Sequence, residues 1–257
     1  MFASLLLAPA KALLFAALVF IPFERLAAER RTQPIFRRGW AMDALTSVIN
    51  GLVLYGVLLL VLGRIDALAA IAAPQLRGWI ETRPIWAQAM LALAVGDLGI
   101  YAIHRLAHTL PWLWRFHAVH HSAEEMDWLV AVRNHPFDLL LFRLASIGPL
   151  VALNITPAAL AIFAVIFGWQ SWLVHANVRL PYGPLRWVFV SPEFHHWHHG
   201  AEREAHDHNY ASVLACWDVL FRTVYLPAGR SPLRYGVEEQ VPPGWIGRFV
   251  HPFRPRG

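Results

Sequence analysis

The sequence predicts an all-α membrane protein, a multi-pass transmembrane helical stem of about four to five spans that carries a histidine-rich cytoplasmic helical cap. Three observations point there. Of 257 residues, 57% are hydrophobic and 15% charged, with mean hydropathy +0.41, a balance that argues against a soluble globule. Long apolar runs recur from Ser4 to Leu173. Eleven of the 14 histidines crowd into two stretches, five in 104–121 and six in 195–208, and clustering of that kind asks for chemistry. The single Cys216 excludes an intramolecular disulfide and a cysteine-based zinc module, so a metal site would rest on His, Asp or Glu. The formal charge of +5 comes almost wholly from arginine, Lys11 being the one lysine. Arginine at membrane boundaries accounts for it without nucleic acid.

Ser4 to Phe23 is apolar apart from Lys11 and long enough to cross a bilayer. No A-x-A-like site precedes the arginine-rich stretch that follows, which favours a retained helix over a signal peptide. Further runs cover Ala44 to Leu62, Ile85 to Ile103 with Asp97 inside it, Leu139 to Leu153, and Pro157 to Val174. The last two, joined by Asn154-Ile155-Thr156-Pro157, read as a helical hairpin with a tight turn. Residues 63–84 read as a loop.

Arginines then orient the chain. They crowd after the first, third and fifth runs, the last group extending from Arg179 to Arg256, whereas the 63–84 loop holds only Arg64, Arg77 and Arg83 and the hairpin turn none. The positive-inside rule places 24–42, 104–138 and 175–257 in the cytoplasm, and both histidine stretches fall on that side. A bacterial inner membrane suits this pattern. No domain-scale repeat or low-complexity linker divides the chain, so 1–257 reads as one domain with its motifs in 97–223.

Asp97, Tyr101, His104 and His108 share one helical face. A carboxylate inside a membrane helix is costly and usually functional, here as support for an imidazole. His117-Ala118-Val119-His120-His121 and His195-His196-Trp197-His198-His199 each place a histidine three residues before a pair. In a helix each triplet clusters on one side and reaches a common centre. Together with His104 and His108, the triplets His117, His120, His121 and His195, His198, His199 imply two metal ions, since one ion rarely takes more than about six ligands. Taken singly, an H-x-x-x-H pair or one H-x-x-H-H reads equally as structural or as a pH-sensing patch; it is their combination that points to metal.

Ser191-Pro192-Glu193 has the residues of a helix start, so the second triplet should sit on a new helix. Ser122-Ala123-Glu124-Glu125 has capping-box spacing and should start another. Leu180 to Trp187 mixes turn residues, Arg and Trp, which suits an interfacial segment. Cys216 and Trp217 read as packing residues.

At this point the chain resembles the membrane-bound fatty acid hydroxylase and sterol desaturase superfamily. The likeness rests on Asp97-x3-Tyr101-x2-His104-Arg105-x2-His108, Trp114-x2-His117-x2-His120-His121-Ser122 and Arg133-x-His135-Pro136. It continues in His175-Ala176-Asn177, Ser191-Pro192-x2-His195-x2-His198-His199, Asp207-x-Asn209-Tyr210 and Trp217-Asp218-x-Leu220-Phe221-x-Thr223. About half the chain is covered, in the family's order, with Ala211 and Arg222 where the family often has Gly. The resemblance implies a non-haem di-iron centre on the cytosolic side of a helical stem, with His175 as a ninth ligand. Zinc readily replaces iron at such imidazole sites in a purified sample. It further implies an aliphatic C–H of a lipid as substrate, O2 as oxidant, and an external electron donor of cytochrome b5 or ferredoxin type. His135 is expected to act near the ligands or the substrate, Asp207 and Asn209 to orient ligand imidazoles, and His196, His206 and His208 to point away.

The rival readings are a histidine-rich membrane metal transporter or sensor and a zinc hydrolase. The first wants a polar path across several helices, but only Asp97 and Arg143 interrupt the spans. The second wants a nearby carboxylate, for which Glu193 is the nearest candidate, and no H-E-x-x-H occurs. An oxygenase should admit its lipid from the bilayer through an apolar tunnel between stem and cap, with Leu173 on its wall.

Overall fold

The computed structural model describes residues 2–254, with side chains from Pro9 onward. Ser4 at the start of the first run is thus described in backbone only, and Arg256 and Gly257 lie outside the described residues. Among these residues the chain forms ten α-helices and no strands. They are α1 (Phe2–Leu26), α2 (Trp40–Ala72), α3 (Pro74–Glu81), α4 (Ile85–Thr109), α5 (Pro111–His121), α6 (Pro136–Ala152), α7 (Pro157–His175), α8 (Pro192–His198), α9 (Cys216–Phe221) and α10 (Trp245–Val250).

Among the described residues three helices, α2, α4 and α7, are long and apolar enough to cross a membrane. Four to five spans were expected, and α1, which holds the first of those apolar runs, is described with side chains only from Pro9. The fourth apolar run is real as a helix, but α6 has 17 residues and carries Asp138 and Arg143. The expected loop at 63–84 is mostly helical too. No proline interrupts the chain between Trp40 and Ala72, so α2 runs for 33 residues, about 50 Å at about 1.5 Å per residue. Pro74 then starts α3, whose Arg77 is buried. Arg77 donates to the carbonyls of Val151 and Ala152 in the last turn of α6, where carbonyls lack intrahelical partners, adding to the Asn154 amide that Val151 already accepts, and pairs with Asp66 at 2.6 Å. Asn154, at φ 59, makes the tight hairpin turn expected there.

Helix α4 is the axis of the stem. A β-carbon on Gly99 would lie 2.1 Å from the Ala145 carbonyl oxygen of α6, and one on Gly96 would lie 2.7 Å from the Phe163 ring of α7. Both positions need glycine because neighbouring helices occupy the space. On the other side, Phe20 of α1 packs with Trp128, Ala176 and Val178, and Leu173 belongs to this cluster. Leu173 therefore fills a core between α1 and α7.

The cap is tied together by charge. Buried Asp43, at the start of α2, accepts from Arg37 at 2.8 Å, from Arg133 at 3.1 Å and from Arg248 of α10, and Arg37 also reaches Asp127 at 2.9 Å. Three distant segments, 37–43, 127–133 and α10, meet there. Ser122 ends α5 instead of starting a helix: its hydroxyl donates to Val119 and accepts from Arg133. The next turn, 128–132, is capped by Asp127, whose carboxylate accepts from the amides of Leu129 and Val130. Ser191 does cap α8, accepting from the Phe194 amide.

Candidate metal centre

Nine histidines come together in the cap as two adjoining groups. His104, His108, His117, His121 and His198 form one; His120, His175, His195 and His199 form the other, and within each group the ligand atoms lie within 4.8 Å of one another. The two triplets do not each reach one centre, as their spacing suggested. Positions i and i+4 of the first triplet, His117 and His121, join the five-histidine group, while the intervening His120 crosses to the other. The second triplet divides the opposite way, sending His195 and His199 to the four-histidine group and His198 to the first. In a helix, i+3 and i+4 diverge by about 100°, so two centres lying side by side can divide them. His175 enters from the last turn of α7.

Hydrogen bonds fix the protons. The Nδ1–H of His104 donates to the Tyr210 carbonyl at 2.7 Å, that of His175 to Ser171 at 2.7 Å and that of His198 to His208 at 2.8 Å. A carbonyl only accepts, so each of these rings presents Nε2 as a bare lone pair. His117 Nδ1 meets Asp138 Oδ2 at 3.1 Å. The Nε2 atoms then crowd together: His121 lies 3.2 Å from His117 and His108 and 3.0 Å from His198, and His175 lies 3.2 Å from His120 and 3.0 Å from His195. His104 Nε2 is buried with no partner, as are Nδ1 of His120, His195 and His199.

Inward lone pairs this close repel one another, and a buried orphaned nitrogen costs about 1–3 kcal/mol. A cation between them removes the repulsion in both groups and gives His104 Nε2 a partner, so the residues fit a metal ion in each group. Burial first, and then the neighbouring imidazoles, holds His117, His120, His121, His195, His198 and His199 well below the ordinary histidine range. They are neutral at pH 7, the form that ligates. Phe142 of α6 stacks on His117, with ring centroids 5.2 Å apart, and meets His104 edge-on.

The other expected site residues sit elsewhere. Asp97 touches no imidazole; its carboxylate accepts from the amides of Ser212, Val213 and Leu214 and so pins the loop beyond Tyr210. Tyr101 pairs with Thr223 at 3.0 Å and Asn209 staples Phe194 to Tyr225, both inside the cap. His135 caps α6 through the Phe137 amide and contacts the Phe249 carbonyl, away from both groups. Of the five, only Asp207 approaches one of the nine clustered histidines, at 3.7 Å from His108 Nδ1. His196 faces away, donating to Ala176 and accepting from Tyr235, and burial pushes it down to about 4. His206 is exposed, while His208 is half-buried. Glu193 belongs to neither group. Sequence reasoning missed Asp138; its signal was an acid in the first turn of an apolar helix, two residues after His135-Pro136.

Long apolar helices beneath a cap with two clustered imidazole groups define a membrane protein whose histidines could bind metal. The chain belongs to the fatty acid hydroxylase family, whose pattern matches residues 89–223. It is 32% identical over 198 residues to ornithine lipid hydroxylase OlsE of Rhizobium tropici, covering 74% of this chain and 59% of that protein. It is 35% identical over 159 residues to human alkylglycerol monooxygenase, covering 61% of this chain and 34% of that one. Rat cholesterol 25-hydroxylase is 26% identical over 145 residues, 56% of this chain and 49% of the relative. The chain thus spans about a third to three-fifths of these relatives. No solved structure matches it.

Proposed function

We infer that the chain is a membrane di-iron oxygenase that hydroxylates or desaturates an aliphatic C–H of a lipid, with O2 and an external electron donor. The observation that carries this reading is the pair of buried histidine groups with their Nε2 atoms turned toward one another. His104, His108, His117, His121 and His198 would hold one iron, and His120, His175, His195 and His199 the other. Bound iron would supply the activation of O2. Hydroxylation balances as C–H, O2, two electrons and two protons giving C–OH and water. The relatives' names, hydroxylases and monooxygenases of an ornithine lipid, alkylglycerol and cholesterol, support the lipid substrate.

The chain's own residues prepare the site. Asp138 and the carbonyls of Tyr210, Ser171 and His208 orient the rings, since a second hydrogen bond fixes both tautomer and plane. Phe142 screens the five-histidine group on the membrane side, and excluding water there protects a reactive oxidant. Residues 1–257 act as one unit, in keeping with the Asp43 cluster that joins both ends of the cap. The arginine asymmetry favours a bacterial inner membrane with the histidines on the cytoplasmic side.

Metal analysis of detergent-purified protein tests the reading. Two ions per chain are expected at saturating iron, and His120→Ala or His198→Ala should lower metal content and lipid oxidation together. One ion or none in the unaltered chain overturns it. Zinc in the purified protein does not, because imidazole sites accept it readily.

A further inference from the structure

A cavity of about 1190 Å³ opens onto the five-histidine group, with His108, His121 and His198 on its floor. It does not run as an apolar tunnel between the membrane helices. Its far wall is the strap 233–241, and the fold holds that strap firmly. Arg30 donates to the carbonyls of Pro232 and Leu233, the Leu233 amide donates to Glu202, and the Ala201 amide donates to the Arg234 carbonyl. Tyr235 bonds the back of α8 through His196 at 3.2 Å. The strap is therefore a built roof over the histidines.

Seven charged side chains line this cavity. Arg30, Asp207 and Glu239 have partners within the fold, and among the described residues the other four have no ion pair or side-chain hydrogen bond. Two are cationic, Arg38 and Arg234, and two anionic, Glu124 and Glu238. A purely apolar chain would leave all four unmatched. A purely anionic head would meet the two carboxylates. A head bearing both signs satisfies the whole rim.

The cavity also borders apolar surface. Pro111 lines it, and beside Pro111 the side chains of Leu106, Leu110 and Trp112 are 46%, 36% and 55% exposed at the junction of α4 and α5. A ligand with its chains on that surface and its head in the cavity would be an amphiphile. We propose that the cavity is the head-group site of a zwitterionic lipid, which carries an ammonium and an anionic group, carboxylate or phosphate. Arg38 and Arg234 read the anion; Glu124 and Glu238 read the ammonium. The proposal rests on the lipid-oxygenase reading above and adds to it the class of substrate.

Titration calorimetry on the full chain in neutral detergent tests it. One set of probes is dihexanoyl phosphoethanolamine, dihexanoyl phosphoglycerol and dihexanoyl glycerol; the other is Nε-dodecanoyl-lysine, dodecanoic acid and dodecanol. At least one zwitterion should bind about tenfold or more tighter than its anionic and neutral counterparts, and the tighter of the two identifies the anion as phosphate or carboxylate. Arg38→Glu and Arg234→Glu should each abolish that preference with metal content unchanged. Glu124→Lys should weaken the zwitterion and strengthen phosphoglycerol or dodecanoate. Equal binding across each set, or no response to the three variants, overturns the proposal. Lipid oxidation measured on the same preparations separates the two claims: selective binding without any oxidation overturns the oxygenase reading alone, and oxidation without selectivity overturns the head-group site alone.

Discussion

Asp138 shows what a single residue can do at this site. Its carboxylate is buried and meets His117 Nδ1, so it sets the ring plane and leaves Nε2 to face the group. Removing such a partner typically lowers metal affinity about 10–100-fold. Asp138→Ala should therefore weaken iron binding by that order in a competitive chelator titration, with Asp138→Asn closer to the unaltered chain because its amide oxygen still accepts. Equal affinity in all three would show that His117 needs no such support. All nine inward histidines were legible in sequence, eight from spacing and His175 from family resemblance, because few residue types besides histidine form such patterns at these intervals. Their supporters were less legible. Three are backbone carbonyls, which any residue supplies, and Asp138 is a lone acid whose partner lies 21 positions away. Asp97 shows the converse. Its place in an apolar helix correctly marked it as unusual, yet three amides of a distant loop claimed its oxygens.

Among the helices, α4 sets the geometry, since it carries His104 and His108 and touches both α6 and α7. The α4–α6 contact depends on Gly99, where a β-carbon would meet the Ala145 carbonyl at 2.1 Å. Gly99→Ala must push the helices apart, and overpacking of this kind costs about 1–3 kcal/mol. The variant should show a lower Tm in detergent and weaker metal retention, because separating α4 from α6 moves His104 away from Asp138 and Phe142. Gly56→Ala on α2 is the matched control, with no heavy atom within 4 Å of the added carbon, and should match or slightly exceed the unaltered chain's Tm, alanine being the better helix former by about 1 kcal/mol. Helix positions were readable because apolar runs this long have few alternatives. Helix ends were less so: α2 ran on through Gly63, Arg64 and Asp66, with Asp66 paired to Arg77 of the next helix, a partner eleven positions on that no local pattern announces. Ser122 had capping-box spacing but was taken by Arg133.

The whole molecule has one end crowded with arginine and another with few, so its orientation can be tested directly. In a Cys216→Ser background, single cysteines at exposed Arg31, Arg83 and Leu233 should divide: 31 and 233 label from the cytoplasmic side, and 83 from the opposite one. Arg77 is unsuited to such a probe because it is buried on the α6 carbonyls. Labelling of 83 from the same side as 233 would overturn the orientation. The helical class, the membrane setting, the identity of the inward histidines and the family all follow from the order of residues, because hydrophobic run length and i, i+3, i+4 spacing are local properties of a chain. Tertiary packing alone settled how nine histidines divide into five and four, which carbonyls and carboxylate hold them, and that the cavity above them is lined with charge. A helix sets the angle between His120 and His121, but which centre each ring meets depends on what stands opposite, and those partners, His175 and His198, arrive from helices 55 and 77 positions later in the chain.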